Sequence, residues 1–242
     1  MSESRDPTSM FNWLPVVEGL GIPSPRTLLV PFDREAVGPM FYGEDAPGAG
    51  TEMAKLCAAA VDFGFPLFLR TDLASGKHSW SRTCYVPDAE SLVAHAYEVA
   101  EFNEIASLDG LPWTGFALRQ LLDLDSTFAA FDGMPVARER RYFAEDGSVL
   151  CHHPYWPEEA IEEGWSRPRL PDDWRERLAL LNDESDDPSS LGEWAGAVTK
   201  ALGGAWSVDF ARSRDGRWWL IDMAVAGQSW HPEHGGYGGE AA

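Results

Sequence analysis

The chain has 242 residues, with 39 Asp and Glu against 19 Lys and Arg and a formal net charge of −20. At 44% hydrophobic, with eleven Trp, it can bury a core, which excludes a disordered acidic chain. The charge argues against general nucleic-acid or anionic-membrane binding, because both rest on surplus Lys and Arg.

No run approaches the roughly 18 apolar residues that span a bilayer. The opening MSESRDPTSM lacks the layout of a secretory signal. Cys57, Cys84 and Cys151 are odd in number and widely spaced, so neither a disulfide framework nor a CxxC zinc site is expected. A reducing, cytoplasmic setting is the expectation.

In chain order, the stretch to about Pro25 reads as partly loose and Arg26–Pro31 as a short buried strand. A Gly/Pro-rich loop, Gly38–Gly50, leads to a helix over Glu52–Phe63 with Thr51 as N-cap. Phe65–Thr71 is a buried strand, followed by the polar loop DLASGKHS. Pro87–Ser107 is the clearest helix, capped by Asp88, with Leu92, Ala96, Val99, Ala100 and Asn103 at helical spacing. Gly115–Asp123 reads as a strand. Val136–Phe143 pairs with Ser148–His152 about a turn at Asp146-Gly147.

Pro157–Gly164 and Asp172–Asn182 read as helical. The acidic DESDDPSS is a surface loop that caps a helix over Leu191–Leu202. A last hairpin, Trp206–Arg212 and Arg217–Met223, turns at Asp215-Gly216, and the tail HPEHGGYGGEAA reads as flexible. No repeat of fixed period is present. The mix predicts an α+β fold with mostly antiparallel sheets.

The last hairpin carries the sharpest chemical signal. A two-residue turn sets Arg212 opposite Trp219, Phe210 opposite Ile221 and Asp209 opposite Asp222. Carboxylates so placed have Cβ atoms about 4.5–5.5 Å apart and repel unless neutralised. A divalent cation does this economically, since Mg²⁺ takes one or two carboxylates plus phosphate oxygens and water. The alternatives are that both acids face solvent, that a nearby Arg neutralises them, or that a bulge shifts the register by one.

Phosphate binding calls for cations. Arg70 ends the run PLFL, and Lys77 follows a Ser75-Gly76 turn, so the two suit neighbouring phosphates. SGK is no P-loop, because GxxxxGK[ST] is absent, and surface basic residues on a loop are the plainer reading. Within Arg138-Glu139-Arg140-Arg141, alternation puts Glu139 and Arg141 on one face. An inward Arg there would stabilise a transferring phosphoryl group; an exposed salt-bridged strand is the alternative.

FLRTDLASGKHSW, FALRQLLDL, VARERRYFAEDGSVL and WSVDFARSRDGRWWLIDM, in this order, resemble the motifs of the ATP-grasp fold. The likeness is to a divergent clade that holds a eukaryotic cell-division-cycle protein, an ATP-dependent assembly chaperone for a translation initiation factor, with bacterial and phage members. It runs from about Phe65 to Gln228. It implies that Arg70 and Lys77 reach ATP phosphates and that Arg119, Gln120, Leu121 and Leu122 lie on the linker strand near adenine. It implies an E-x-R strand with Glu139 and with Arg141 near the γ-phosphate, and metal binding by Asp209 and Asp222. Two departures stand out. The usual Asn two residues beyond the second acid is Ala224, with Gln228 or Ser229 as substitutes, and the phosphate loop has only Gly76 where many relatives carry a glycine-rich lid.

The resemblance further implies an N-terminal segment 1–64, an ATP-grasp-like domain 65–230 with lobes of about 65–114 and 115–230 around an ATP cleft, and a tail 231–242. The cofactors are ATP and Mg²⁺. The implied enzyme joins a carboxylate to an amine through an acylphosphate, with Arg141 and Lys77 catalytic and a small molecule, peptide or protein as acceptor. An ATP-binding assembly chaperone for a protein partner and a non-catalytic binding module are the rival classes.

The histidines add little. His152-His153 and His231-Pro-Glu-His234 have poor zinc spacing, and a His contacting substrate at the cleft mouth is the better reading. Trp218 and Trp219 are expected to pack the sheet. No G-x-S-x-G elbow is present. Alternation separates Cys151 from His152, which argues against a dyad.

Overall fold

Met10, Trp13, Leu14 and Val17 recur at helical spacing and form the buried stripe of a helix, α1 (Met10–Gly19). The expected loose N-terminus is therefore corrected. Pro15 hides the pattern, because an interior proline usually breaks a helix. The computed structural model describes residues 6–37, 48–106, 112–163 and 169–232. Contacts divide the chain into two units. The first holds Met1–Phe11, Arg26–Leu121 and Phe131–Met134; the second holds Asn12–Pro25, Leu122–Ala130 and Pro135–Ala242.

In the first unit β1 (Thr27–Pro31) is followed by the short α2 (Arg34–Val37) and by α3 (Ala49–Phe63). Then come β2 (Leu67–Thr71), β3 (Tyr85–Val86), α4 (Leu92–Ala106) and β4 (Gly115–Gln120). The strands form one antiparallel sheet in the order β1-β4-β2-β3. Leu56 and Ala60 of α3, Ala96 and Val99 of α4, and Leu69 and Leu118 of the sheet share its core. Each fully buried Leu stabilises the unit by about 1.5–3 kcal/mol.

Two local expectations, both at helix starts, change here. Helix α3 begins at Ala49 with Gly48 as its cap, so Thr51 lies inside the first turn and caps nothing. Residues 38–47 of the expected Gly/Pro-rich loop lie outside the described residues. The long helix begins at Leu92, and Asp88 still serves its entry by accepting the Ser91 N–H at 2.9 Å. That bond holds the Asp88 carboxyl below its ordinary pKa.

Asp72 is fully buried just beyond β2. Its carboxylate accepts bonds from Ser9 Oγ at 2.6 Å, Thr114 N at 2.8 Å, Thr114 Oγ1 at 3.0 Å and Gly115 N at 3.2 Å. The motifs set a lobe border at 114/115. β4 instead pairs with both β1 and β2, and the contact border falls between Leu121 and Leu122. Likewise β1 and α3 are built into this unit and do not precede it.

The second unit contains β5 (Ser126–Ala130), most of β6 (Met134–Ala137), β7 (Glu139–Glu145) and β8 (Ser148–Pro154). It continues with α5 (Glu158–Glu163), α6 (Trp174–Leu181), α7 (Ser190–Leu202), β9 (Ala205–Arg212) and β10 (Trp218–Val225). The main sheet runs β10-β9-β7-β8, antiparallel throughout, and β5 and β6 form a separate pair. Helix α7 buries Leu191, Ala195 and Val198, and it packs on β7, β8 and β9.

The single strand expected over Val136–Phe143 is two strands. Arg138 breaks it: its N–H bonds Asp125 O at 3.0 Å and its carbonyl accepts the Arg212 N–H at 2.9 Å. The Asp146-Gly147 turn is as expected, with both residues at positive φ. Most of the expected flexible tail, from residue 233, lies outside the described residues.

Candidate functional site

The acidic hairpin reaches its expected pairing by an unexpected route. Ser213 N–H bonds Arg217 O at 2.8 Å and Gly216 N–H bonds Ser213 O at 2.8 Å, which closes a three-residue loop over Gly216 at φ 86°. One residue more than a two-residue turn sets Arg212 opposite Trp218 and Phe210 opposite Leu220. A bulge at Ile221 then shifts the register back, and Asp222 faces Asp209. The pairings nearer the turn move by one, and the carboxylates keep theirs.

Register extends this pair into a row. Arg141 of β7 lies opposite Asp209 of β9, and His153 of β8 lies opposite Arg141. His153, Arg141, Asp209 and Asp222 thus stand side by side, one from each strand of the main sheet. Glu139 shares the face of Arg141, as alternation requires, and is buried opposite Ala211.

Arg141 grips Asp209 with two bonds, Nε to Oδ1 at 2.8 Å and Nη2 to Oδ2 at 2.7 Å. Its guanidinium carbon lies 4.6 Å from the Tyr155 ring centroid. Burial works against the Arg141 charge. The charge and bonds of Asp209 outweigh it, with Tyr155 and Asp222 adding, so the pKa is raised. The like-charge argument for a cation is therefore corrected, because a neighbouring Arg already neutralises one acid. Asp222 Oδ1 accepts the Met223 N–H at 3.0 Å.

A Mg²⁺ ion accepts two carboxylates and completes its shell with water and phosphate oxygens, so Asp209 and Asp222 fit that ion. It would compete with Arg141 for Asp209. Ala224, in place of the usual Asn, lies opposite Ser207. Ser229, one of its two expected substitutes, has its Oγ 2.5 Å from Ser207 Oγ, and Gln228 is exposed at the end of a single turn. Among the described residues, no three His, Cys, Asp or Glu side chains are grouped to hold a metal.

The segment after β10 crosses the outer end of the row. Trp230 and His231 both pack edge-on against His153, at 5.4 and 5.7 Å between centroids. His153 Nδ1 donates to Pro154 O at 2.7 Å, and its buried Nε2 has no partner among the described residues. Burial lowers the His153 pKa against the pull of the Pro154 bond, and the neighbouring Arg141 and His231 lower it further. Cys151 does meet a histidine, though not its sequence neighbour: Sγ lies 3.3 Å from His231 Nε2. Eighty residues separate them, and no spacing rule finds such a pair.

The other arginines of the cluster are structural. Arg138 donates to Asp183 O at 2.7 Å and Leu180 O at 2.9 Å. Arg140 is fully buried, forms an ion pair with Asp187 and donates to Leu181 O at 3.1 Å. The acidic DESDD segment is thus partly an internal counter-ion for Arg140.

In the first unit Arg70 is buried and spends its donors on the exit from β2, with Nε to Thr71 O at 3.1 Å and Nη2 to Leu73 O at 2.9 Å. Lys77 is half-buried and opens a single turn, Lys77–Ser79, after the left-handed Gly76 at φ 60°. Thr83 Oγ1 lies 2.8 Å from Gly76 O and closes this loop. On the linker strand, Arg119 is buried with Nε 3.3 Å from Thr27 Oγ1, and the Gln120 N–H bonds Arg26 O at 2.8 Å. Leu121 and Leu122 are half-buried on either side of the unit border.

Two units of α+β structure, one with a lysine loop and one with an acidic hairpin beside an E-x-R strand, define an ATP-grasp protein. More specifically, the model of an ATP-grasp domain family, the third family of its clade, matches residues 44–237, and the chain belongs to that family. The match starts well before Phe65, in line with the incorporation of α3.

Among solved structures, the chain is similar to the biotin carboxylase domain of the Hydrogenobacter thermophilus 2-oxoglutarate carboxylase in complex with MgADP, ADP and bicarbonate. The TM-score is 0.52 at 13% identity, covering 94% of this chain and 41% of that one. A RimK domain ATP-grasp protein from Sphaerobacter thermophilus DSM 20745 gives a TM-score of 0.46 at 14% identity, covering 90% and 59%. The ATP-grasp ligase PsnB with its minimal precursor gives 0.46 at 12%, covering 94% and 55%. The chain therefore spans about half the length of these proteins. No curated protein matches it. No helix among the described residues is long and apolar enough to cross a membrane.

Proposed function

We propose that this chain is an ATP- and Mg²⁺-dependent ligase that joins a carboxylate to an amine through an acylphosphate. The reading is supported by membership of the ATP-grasp family together with one observation, the facing of Asp209 and Asp222 beside Arg141. Asp209 and Asp222 would hold Mg²⁺, which when bound neutralises phosphate charge. Lys77 would bind phosphate as a point charge, with Arg70 fixing the start of its loop. Arg119, Gln120, Leu121 and Leu122 would line adenine through their backbone. Arg141 would hold the γ-phosphate, beside Glu139. An acceptor carboxylate oxygen attacks the γ-phosphorus, ADP leaves, and an amine displaces phosphate from the acylphosphate. Most of the rate would come from positioning and charge stabilisation.

Titration calorimetry with Mg·ATP tests the binding half. We expect saturable binding that Asp222→Asn weakens at least tenfold; no binding at millimolar ATP, or an unchanged Asp222→Asn, ends the reading. ADP release across pools of acids and amines tests the chemistry. The occupation of Ser229 by Ser207, with Ala224 in the Asn position, favours a second reading in which ATP is bound without ligation, by an assembly factor for a protein partner or by a binding module. Binding with no turnover in any pool would select it.

A further inference from the structure

The β5–β6 connection, Phe131-Asp132-Gly133, is unusual. All three residues adopt positive φ, 45°, 64° and 98°, although only the last is glycine. A phenylalanine seldom takes this conformation unless its surroundings impose it. Within the first unit, this tip lies against the lysine loop at successive points.

The Phe131 ring, 3% exposed, stacks on His78 with centroids 4.5 Å apart and planes 18° from parallel. Asp132 Oδ2 accepts a bond from Ser81 Oγ at 2.6 Å. A Cβ added at Gly133 would meet Trp80 Cδ1 only at 3.8 Å, ordinary van der Waals distance, so glycine is required here by its φ and not by crowding. Trp80 in turn stacks on Tyr85 of β3 at 5.9 Å and tilts over Phe68 of β2 at 5.8 Å. His78 and Ser81 are therefore held from the tip, while Trp80 between them is held from the sheet.

Lysine is a point charge on a flexible stem, so its value to a ligand depends on how well its backbone is fixed in advance. Gly76 supplies the turn before Lys77 and restrains little by itself. The tip supplies restraint from the other side, one residue beyond the lysine. We infer that Phe131 and Asp132 are positioning residues that hold the 76–81 loop so that Lys77 meets the phosphates of ATP. The inference rests on the reading of Lys77 as a phosphate-binding group.

The test is calorimetry of the full chain with Mg·ATP and, separately, with adenosine, which has no phosphates. Phe131→Ala should weaken Mg·ATP about tenfold and leave adenosine unchanged, Phe131→Tyr should restore binding, and Asp132→Asn should weaken Mg·ATP about threefold. Should Phe131→Ala fail to fold by circular dichroism, Phe131→Leu, which keeps the bulk without the flat ring, decides in its place. A folded Phe131→Ala (or, in its place, Phe131→Leu) variant that binds Mg·ATP like the wild type overturns the inference, as does equal weakening of Mg·ATP and adenosine. Lys77→Ala separates the two levels. If it leaves Mg·ATP binding intact, the lysine reading itself fails; if it weakens binding while the tip variants do not, only the positioning role fails.

Discussion

At the scale of single residues, Arg141 and Asp209 decide how the candidate site behaves before any ligand arrives. Their side chains are 12% and 7% exposed, and removing one partner of such a pair leaves a poorly solvated charge. Arg141→Met should therefore cost about 3–5 kcal/mol of stability, read from urea unfolding. It should also free Asp209 for a cation. We expect the nucleotide-free variant to bind Mn²⁺ more tightly than the wild type, seen as loss of the free-ion signal in electron paramagnetic resonance, while its Mg·ATP binding weakens. Mn²⁺ affinity that is unchanged or lower in a folded Arg141→Met protein would show that Asp209 is not contested. The sequence marks both residues but not their bond. Alternation puts Arg141 on a face, whereas its partner depends on which strand lies beside β7, a long-range fact that no local pattern carries.

At the scale of elements, the acidic hairpin shows what a sequence does and does not disclose. Asp-Gly between two runs rich in apolar residues announces a turn, and a turn stands at that position. Its length is not legible, because two- and three-residue loops both favour glycine at a left-handed position. The bulge at Ile221 is equally silent. The facing of Asp209 and Asp222 follows correctly from spacing only because those two irregularities offset each other, while the pairings nearer the turn move by one. The division of the expected 136–143 strand at Arg138 has a similar cause, since β6 and β7 are consecutive and both largely buried but belong to different sheets. The three-residue loop makes a specific demand on Gly216, whose φ of 86° disfavours any Cβ. Gly216→Ala should cost about 1–2 kcal/mol in urea unfolding. A change within a few tenths would mean that the loop relaxes to another geometry, and the register of Asp222 would then have to be measured again.

At the scale of the whole molecule, α3, β1 and β4 are each legible as elements, yet their shared membership of one core is not. The sequence motifs that mark the family begin at Phe65, and a motif-based border excludes everything before it. Net charge is the other property of this scale, and −20 raises a problem for a protein proposed to bind nucleotide. Mg·ATP is itself negative. The field of the entire chain should repel it, while a few fixed cations such as Lys77 attract it at short range. Salt separates these ranges. The Debye length is about 30 Å at 0.01 M and about 8 Å at 0.15 M, so added salt removes the long-range repulsion first and leaves close contacts largely intact. The association rate of Mg·ATP, followed by stopped-flow tryptophan fluorescence, should therefore rise a few-fold between those concentrations, the reverse of steered association between opposite charges. The dissociation rate should change little over the same range. An association rate that falls steadily with salt would mean that a local cationic field dominates the approach even at low ionic strength, and that the acidic exterior is too far from the nucleotide's path to be felt.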